Sequence, residues 1–124
     1  MIQYLLSAII LVLLDGLYLS MIKNLYDKQI QTIQGSAMQI NLVASFITYI
    51  FLIFGLNYFI IRKHKSPTDA AILGLVIYGV YEFTNLSILK KWSVFISLLD
   101  TAWGAILFGL TTFILYTIKK WFRF

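Results

Sequence analysis

Apolar residues run along this chain in four long stretches separated by short polar joints: about residues 2–21, 40–61, 68–89 and 93–118. Each is near the ~20 residues that an α-helix needs to cross ~30 Å of hydrocarbon. In lipid the backbone of a spanning segment must satisfy its own polar groups. None of the stretches has the short alternating period of a barrel strand. The pattern therefore predicts an all-α fold, an integral membrane bundle of four transmembrane helices forming a single domain.

The joints differ in kind. Over 22–39, Ile22, Tyr26, Ile30, Ile33 and Ala37 recur at helical spacing, which predicts an interfacial helix or an extension of the first span, ended near Gly35. The second joint, Arg62-Lys63-His64-Lys65-Ser66-Pro67, is a basic turn in which Ser66 can cap the third helix and Pro67 suits its first position. Lys90-Lys91-Trp92 is tighter still, and the pattern expects Trp92 at interface depth, with Trp121 beside Lys119 and Lys120 repeating that anchor.

Composition supports this picture. Apolar residues make up 60% of the chain and charged ones 12%, against about 25% charged in soluble domains, so the apolar excess must face lipid. The net charge of +5 does not point to nucleic acid, because the basic residues sit in small clusters at the ends of apolar runs and form no continuous patch. The absence of cysteine excludes disulfides and thiolate chemistry. The first stretch carries Asp15 and no basic leader, so it is expected to remain as a helix. Arg62, Lys63, Lys65, Lys119, Lys120 and Arg123 flank one side, against Lys23, Lys28, Lys90 and Lys91 on the other. That asymmetry orients both termini to the cytoplasm.

Three acids, Asp15, Glu82 and Asp100, lie inside apolar runs. Each costs about 2.5–3.5 kcal/mol at a helix centre on insertion scales, so each is expected to face the bundle interior. Counted from the nearer helix ends at 1.5 Å per residue, all three lie roughly 9–10 Å from the same membrane face. Asn41, Ser45 and Thr48 enter from that face on the second span, Tyr78, Tyr81 and Asn85 on the third, and Ser97, Trp103 and Gly104 accompany Asp100 on the fourth. If the stripes converge they line an acid-, amide- and phenol-rich pocket. With no base in the hydrocarbon region, the acids must share protons, bind a cation or hold a protonated group.

Several of these residues have plainer explanations. Ser45, Thr48 and Thr111 read as hydrogen-bonding groups that fix helix register, and Gly74, Gly79, Gly104 and Gly109 as sites of close helix approach. His64 reads as a solvated loop residue, since a metal site needs several strong ligands in reach. No metal or cofactor site is expected.

The segments Leu14-Asp15-Gly16-Leu17-Tyr18-Leu19, Tyr81-Glu82-Phe83-Thr84-Asn85-Leu86-Ser87-Ile88-Leu89-Lys90-Lys91-Trp92 and Asp100-Thr101-Ala102-Trp103-Gly104, with Tyr49 and Gly55, resemble the DUF2177 family of small predicted membrane proteins. The resemblance covers nearly the whole chain. It departs at Glu82, where the family pattern usually has Asp, and at Tyr18, where it usually has Trp. It implies four spans and marks a site without supplying a reaction.

The expected site comprises Asp15, Tyr18, Tyr78, Tyr81, Glu82, Asn85, Asp100 and Trp103. The leading reading is a module in the lipid bilayer that binds or transports a proton, a cation or a polar lipid head group. Two alternatives stay open: a small membrane-embedded enzyme acting on a lipid, with Glu82 and Asp100 as acid and base, and a structural subunit of a larger membrane assembly; a homo-oligomer is open for the leading reading as well.

Overall fold

The computed structural model describes residues 2–36 and 41–123. It is helical, with α1 over Ile2–Gln34, α2 over Leu42–Leu56, α3 over Pro67–Ile88 and α4 over Val94–Phe122. A π-helical turn, Asn57–Ile61, prolongs α2, and all four units are long and apolar enough to cross a membrane. The expected start of the second span at Ile40, and the helical position Ala37, lie outside the described residues.

The polar residues after Met21 do not stop α1. It runs unbroken to Gln34, about 50 Å at 1.5 Å per residue, and Gly35 at φ +75° ends it. Ser20 accommodates its hydroxyl by bonding the Leu17 carbonyl (2.8 Å), as polar residues do within a helix in lipid. The other starts follow local chemistry. Asn41, Ser66 and Ser93 each cap a helix by accepting a backbone N–H, from Ala44, Asp69 and Ile96 respectively, at 3.1 Å.

The closest packing is between α3 and α4, an antiparallel pair whose backbones nearly touch at Gly74 and Gly104; the Tyr78 ring lies against Gly104. α1 lies along α4, and Gln29 Oε1 accepts the Ser93 N–H (2.8 Å), so the extension of α1 reaches the very start of α4. α2 packs on α1 and stands off from α3. Leu11, Leu56, Ile61, Leu107, Phe108 and Leu115 are fully enclosed and form the apolar centre. At the π turn, consecutive residues Ile60 and Ile61 both turn inward. Asn57 Nδ2 donates to Ser7 Oγ and to the Ile53 carbonyl, each at 2.8 Å, tying the turn to α1.

Candidate functional site

All three intramembrane acids point into the bundle. Asp15 is 7% exposed, Glu82 1% and Asp100 3%, which confines them to partners supplied by the protein. The partners are ring donors. Asp15 accepts from Tyr49 Oη on α2 (2.5 Å) and from Trp103 Nε1 on α4 (2.9 Å). Asp100 accepts from two phenols of α1, Tyr18 and Tyr26. Glu82 accepts from Trp92 Nε1 (2.9 Å), and the Tyr26 hydroxyl stands 3.4 Å from its other oxygen.

These shells are joined. Tyr18 and Trp103 stack with ring centroids 4.5 Å apart and planes 5° apart, each donating to a different acid. Tyr26 bridges Asp100 and Glu82. One connected network therefore ties all four helices together, and it does so through aromatic side chains, whose few rotatable bonds fix the acids in place.

The donors and acceptors do not quite balance. Five ring donors face six carboxylate oxygens, and the phenolic hydrogen of Tyr26 can serve only one acid at a time. Tyr26 lies nearer Asp100, so its contact with Glu82 becomes a full hydrogen bond only if Glu82 carries a proton. The Asp100–Tyr26–Glu82 set thus has a place for one proton beyond the phenol's own, on Glu82. Among the described residues, no three of His, Asp and Glu gather closely enough to hold a metal ion.

Beside this network lies a cavity of about 730 Å³ between α1, α2 and α3. Leu19, Leu52 and Ile77 supply apolar wall, while Ser20, Lys23, Tyr26, Ser45, Thr48, Tyr78 and Tyr81 supply polar groups. The cavity follows from the way α2 leans on α1 and leaves α3, so its open side faces what surrounds the bundle. No acid lines it. Tyr26 belongs to both structures, with its ring in the cavity wall and its hydroxyl on the acids.

The sequence-derived residues thus divide into groups. Asp15, Tyr18, Glu82, Asp100 and Trp103 meet in the network, whereas Tyr78 and Tyr81 line the cavity; Tyr81 is 57% exposed. Asn85 joins neither, and its side chain makes no hydrogen bond among the described residues. The single pocket combining acids, amides and phenols divides into an enclosed acid network and a donor-lined cavity. The buried amide on this side is Gln29 of α1, whose Oε1 accepts from Ser93, the residue after Trp92. Sequence reasoning passed over Tyr26, whose helical spacing in the joint was the available signal, and Tyr49, visible only in the family resemblance. It also placed Trp92 at the interface. The structure buries that indole (6% exposed), because the tight α3–α4 turn folds it back over Glu82.

A second polar layer lies away from these acids. Ser7, Asn57, Thr111 and Thr112 are all enclosed. The antiparallel register that sets Gln29 at Ser93 and Asp15 at Trp103 brings Ser7 level with Thr111. Leu11 and Leu107, both fully buried, separate the two layers.

The family model described as a predicted membrane protein, DUF2177, matches residues 1–117. Among curated proteins and among solved structures, none matches the chain.

Proposed function

The chain belongs to the DUF2177 family of predicted membrane proteins, and from that premise we propose that it is a lipid-binding module. It takes one chain of a membrane amphiphile into the cavity between α1, α2 and α3, with the polar end against Tyr26. The observation that carries this reading is the double role of Tyr26, which forms cavity wall and also meets Asp100 and Glu82. An occupant packed against the Tyr26 ring would shift the hydroxyl that meets Asp100 and Glu82, so binding and the hydrogen bonding of the acids are coupled. The cavity suits such a guest physically. It is in the range of ligand pockets, and most of its wall surface is apolar, with polar groups from several side chains set into it.

Filling the cavity tests this directly. Ser45 is half-buried in its wall and a Trp there projects into open space. Ser45→Trp should lower copurifying lipid, counted by native mass spectrometry from bilayer discs, by tenfold or more while leaving thermal unfolding unchanged. Undiminished lipid on a well-folded variant would place the lipid elsewhere and reject the reading.

A lipid-modifying enzyme is the second reading, favoured by the same bridge. A phenol between two carboxyls can pass a proton to or from a bound head group, which is general acid–base chemistry.

In our reading both termini face the cytoplasm, as the basic flanks favour. The cavity's Lys23 end and the Lys90–Lys91 turn then face outward. A cysteine introduced at Lys91 should react with a membrane-impermeant maleimide on intact cells, and one at Lys63 should not. The reverse pattern would invert the orientation.

A further inference from the structure

The polar lining of the cavity is lopsided. Lys23, Ser45, Tyr78 and Tyr81 carry hydrogen-bond donors, and none of these side chains makes a hydrogen bond or ion pair among the described residues. Ser20 and Thr48 direct their hydroxyl hydrogens to backbone carbonyls, of Leu17 and Ala44, leaving their oxygens inward of the helix. Among the described residues, the wall contains no Asp, Glu or amide side chain. One cation and three unengaged hydroxyls therefore face a single opening with nothing of opposite character to meet.

We propose that the cavity selects an anionic lipid, with the phosphate of its head group on Lys23 and the hydroxyls of Ser45, Tyr78 and Tyr81. This rests on the lipid-binding reading above and names the class of lipid. Phosphate oxygens accept strongly and carry the charge that Lys23 lacks a partner for, whereas a choline or ammonium head would set cation against cation. The acid network does not reverse this preference. Its carboxylates lie outside the cavity wall and already accept hydrogen bonds from ring donors of the protein, while Lys23 is part of the wall itself. A free phosphate would satisfy the same donors but leave the apolar wall of Leu19, Leu52 and Ile77 uncovered, so the lipid is the occupant the whole cavity fits.

The test uses the full-length protein in discs of phosphatidylcholine alone or mixed with phosphatidylglycerol, with bound lipid identified by native mass spectrometry. Wild type should enrich phosphatidylglycerol over its share of the bilayer about fivefold, the effect of one lysine at an anionic head group. Lys23→Gln should bring that enrichment close to one. Lys23 is exposed, so the substitution should leave thermal unfolding unchanged, which is checked alongside. Lipid bound by wild type in the bilayer's own proportions would overturn the anionic selection while leaving the cavity's lipid-binding role standing. Displacement of the bound lipid by inorganic phosphate would also overturn it, since the site would then read phosphate alone. If wild type retains no lipid of either kind, the lipid-binding reading itself fails.

Discussion

Gly74→Ala should be the most destructive small substitution in this protein, lowering its stability by about 3 kcal/mol or more. A Cβ at Gly74 would run into the carbonyl of Gly104 and lie 2.9 Å from Phe108 Cβ. The first obstacle is backbone in the middle of a helix, so no rotamer change relieves it, and α3 and α4 must move apart. That pair is the tightest packing in the bundle and carries two of the three acids, Glu82 and Asp100, so the network would loosen with it. Gly79 is the matched control. There a Cβ meets only Thr101 Cγ2 at 3.5 Å, an ordinary contact, and Gly79→Ala should be close to neutral. Unfolding of both variants in mixed micelles, followed by helical circular dichroism, would measure the difference. If the two unfold alike, the helices do not approach at Gly74 as closely as described.

The second large effect is expected at Asp100, where leucine and asparagine separate hydrogen bonding from charge. Asp100→Leu removes the acceptor of both Tyr18 and Tyr26 at a site 3% exposed. An unpartnered buried donor costs about 1–3 kcal/mol, so a loss of several kcal/mol is set against whatever is regained by not burying a carboxyl. Asp100→Asn keeps one acceptor oxygen and nearly the same shape. It should cost about 1 kcal/mol, in line with interhelical hydrogen bonds in membranes averaging ~0.6 kcal/mol. The expected order of stability is wild type, Asn, then Leu. A leucine variant as stable as wild type would mean that burial of the acid outweighs its bonds. The asparagine variant also tests function, because an amide cannot take up and release a proton as a carboxyl can. If this cluster handles a proton, folded Asp100→Asn protein in liposomes should lose any proton-dependent signal that wild type gives. Equal signals would count against transport and leave lipid binding as the role of the site.

These variants also show what kind of information resides where. Four spans and their membrane character were legible in the sequence, because lipid imposes a length and an apolarity that no packing can alter. The cap at Ser66 was legible for a similar reason, since it involves only neighbours along the chain. The inward direction of Asp15, Glu82 and Asp100 could be inferred as well: a carboxyl facing hydrocarbon is too costly, whatever its partner.

The partners themselves depended on tertiary structure. Tyr26 falls in a segment polar enough to suggest an interface, and it reaches Asp100 only because α1 continues straight to Gln34 alongside α4. Trp92 resembles an interfacial anchor in sequence, because the tryptophan of a basic turn normally sits among head groups. The tightness of the α3–α4 turn sends it inward instead. The cavity has no local signature. It exists because α2 leans on α1 and leaves α3, an outcome of how four side-chain surfaces fit together at once. The solvent acts on each residue of a span separately, so its demands can be read one position at a time. The pairing of donors with acids and the gap beside them depend on several helices simultaneously, and only the folded bundle decides them.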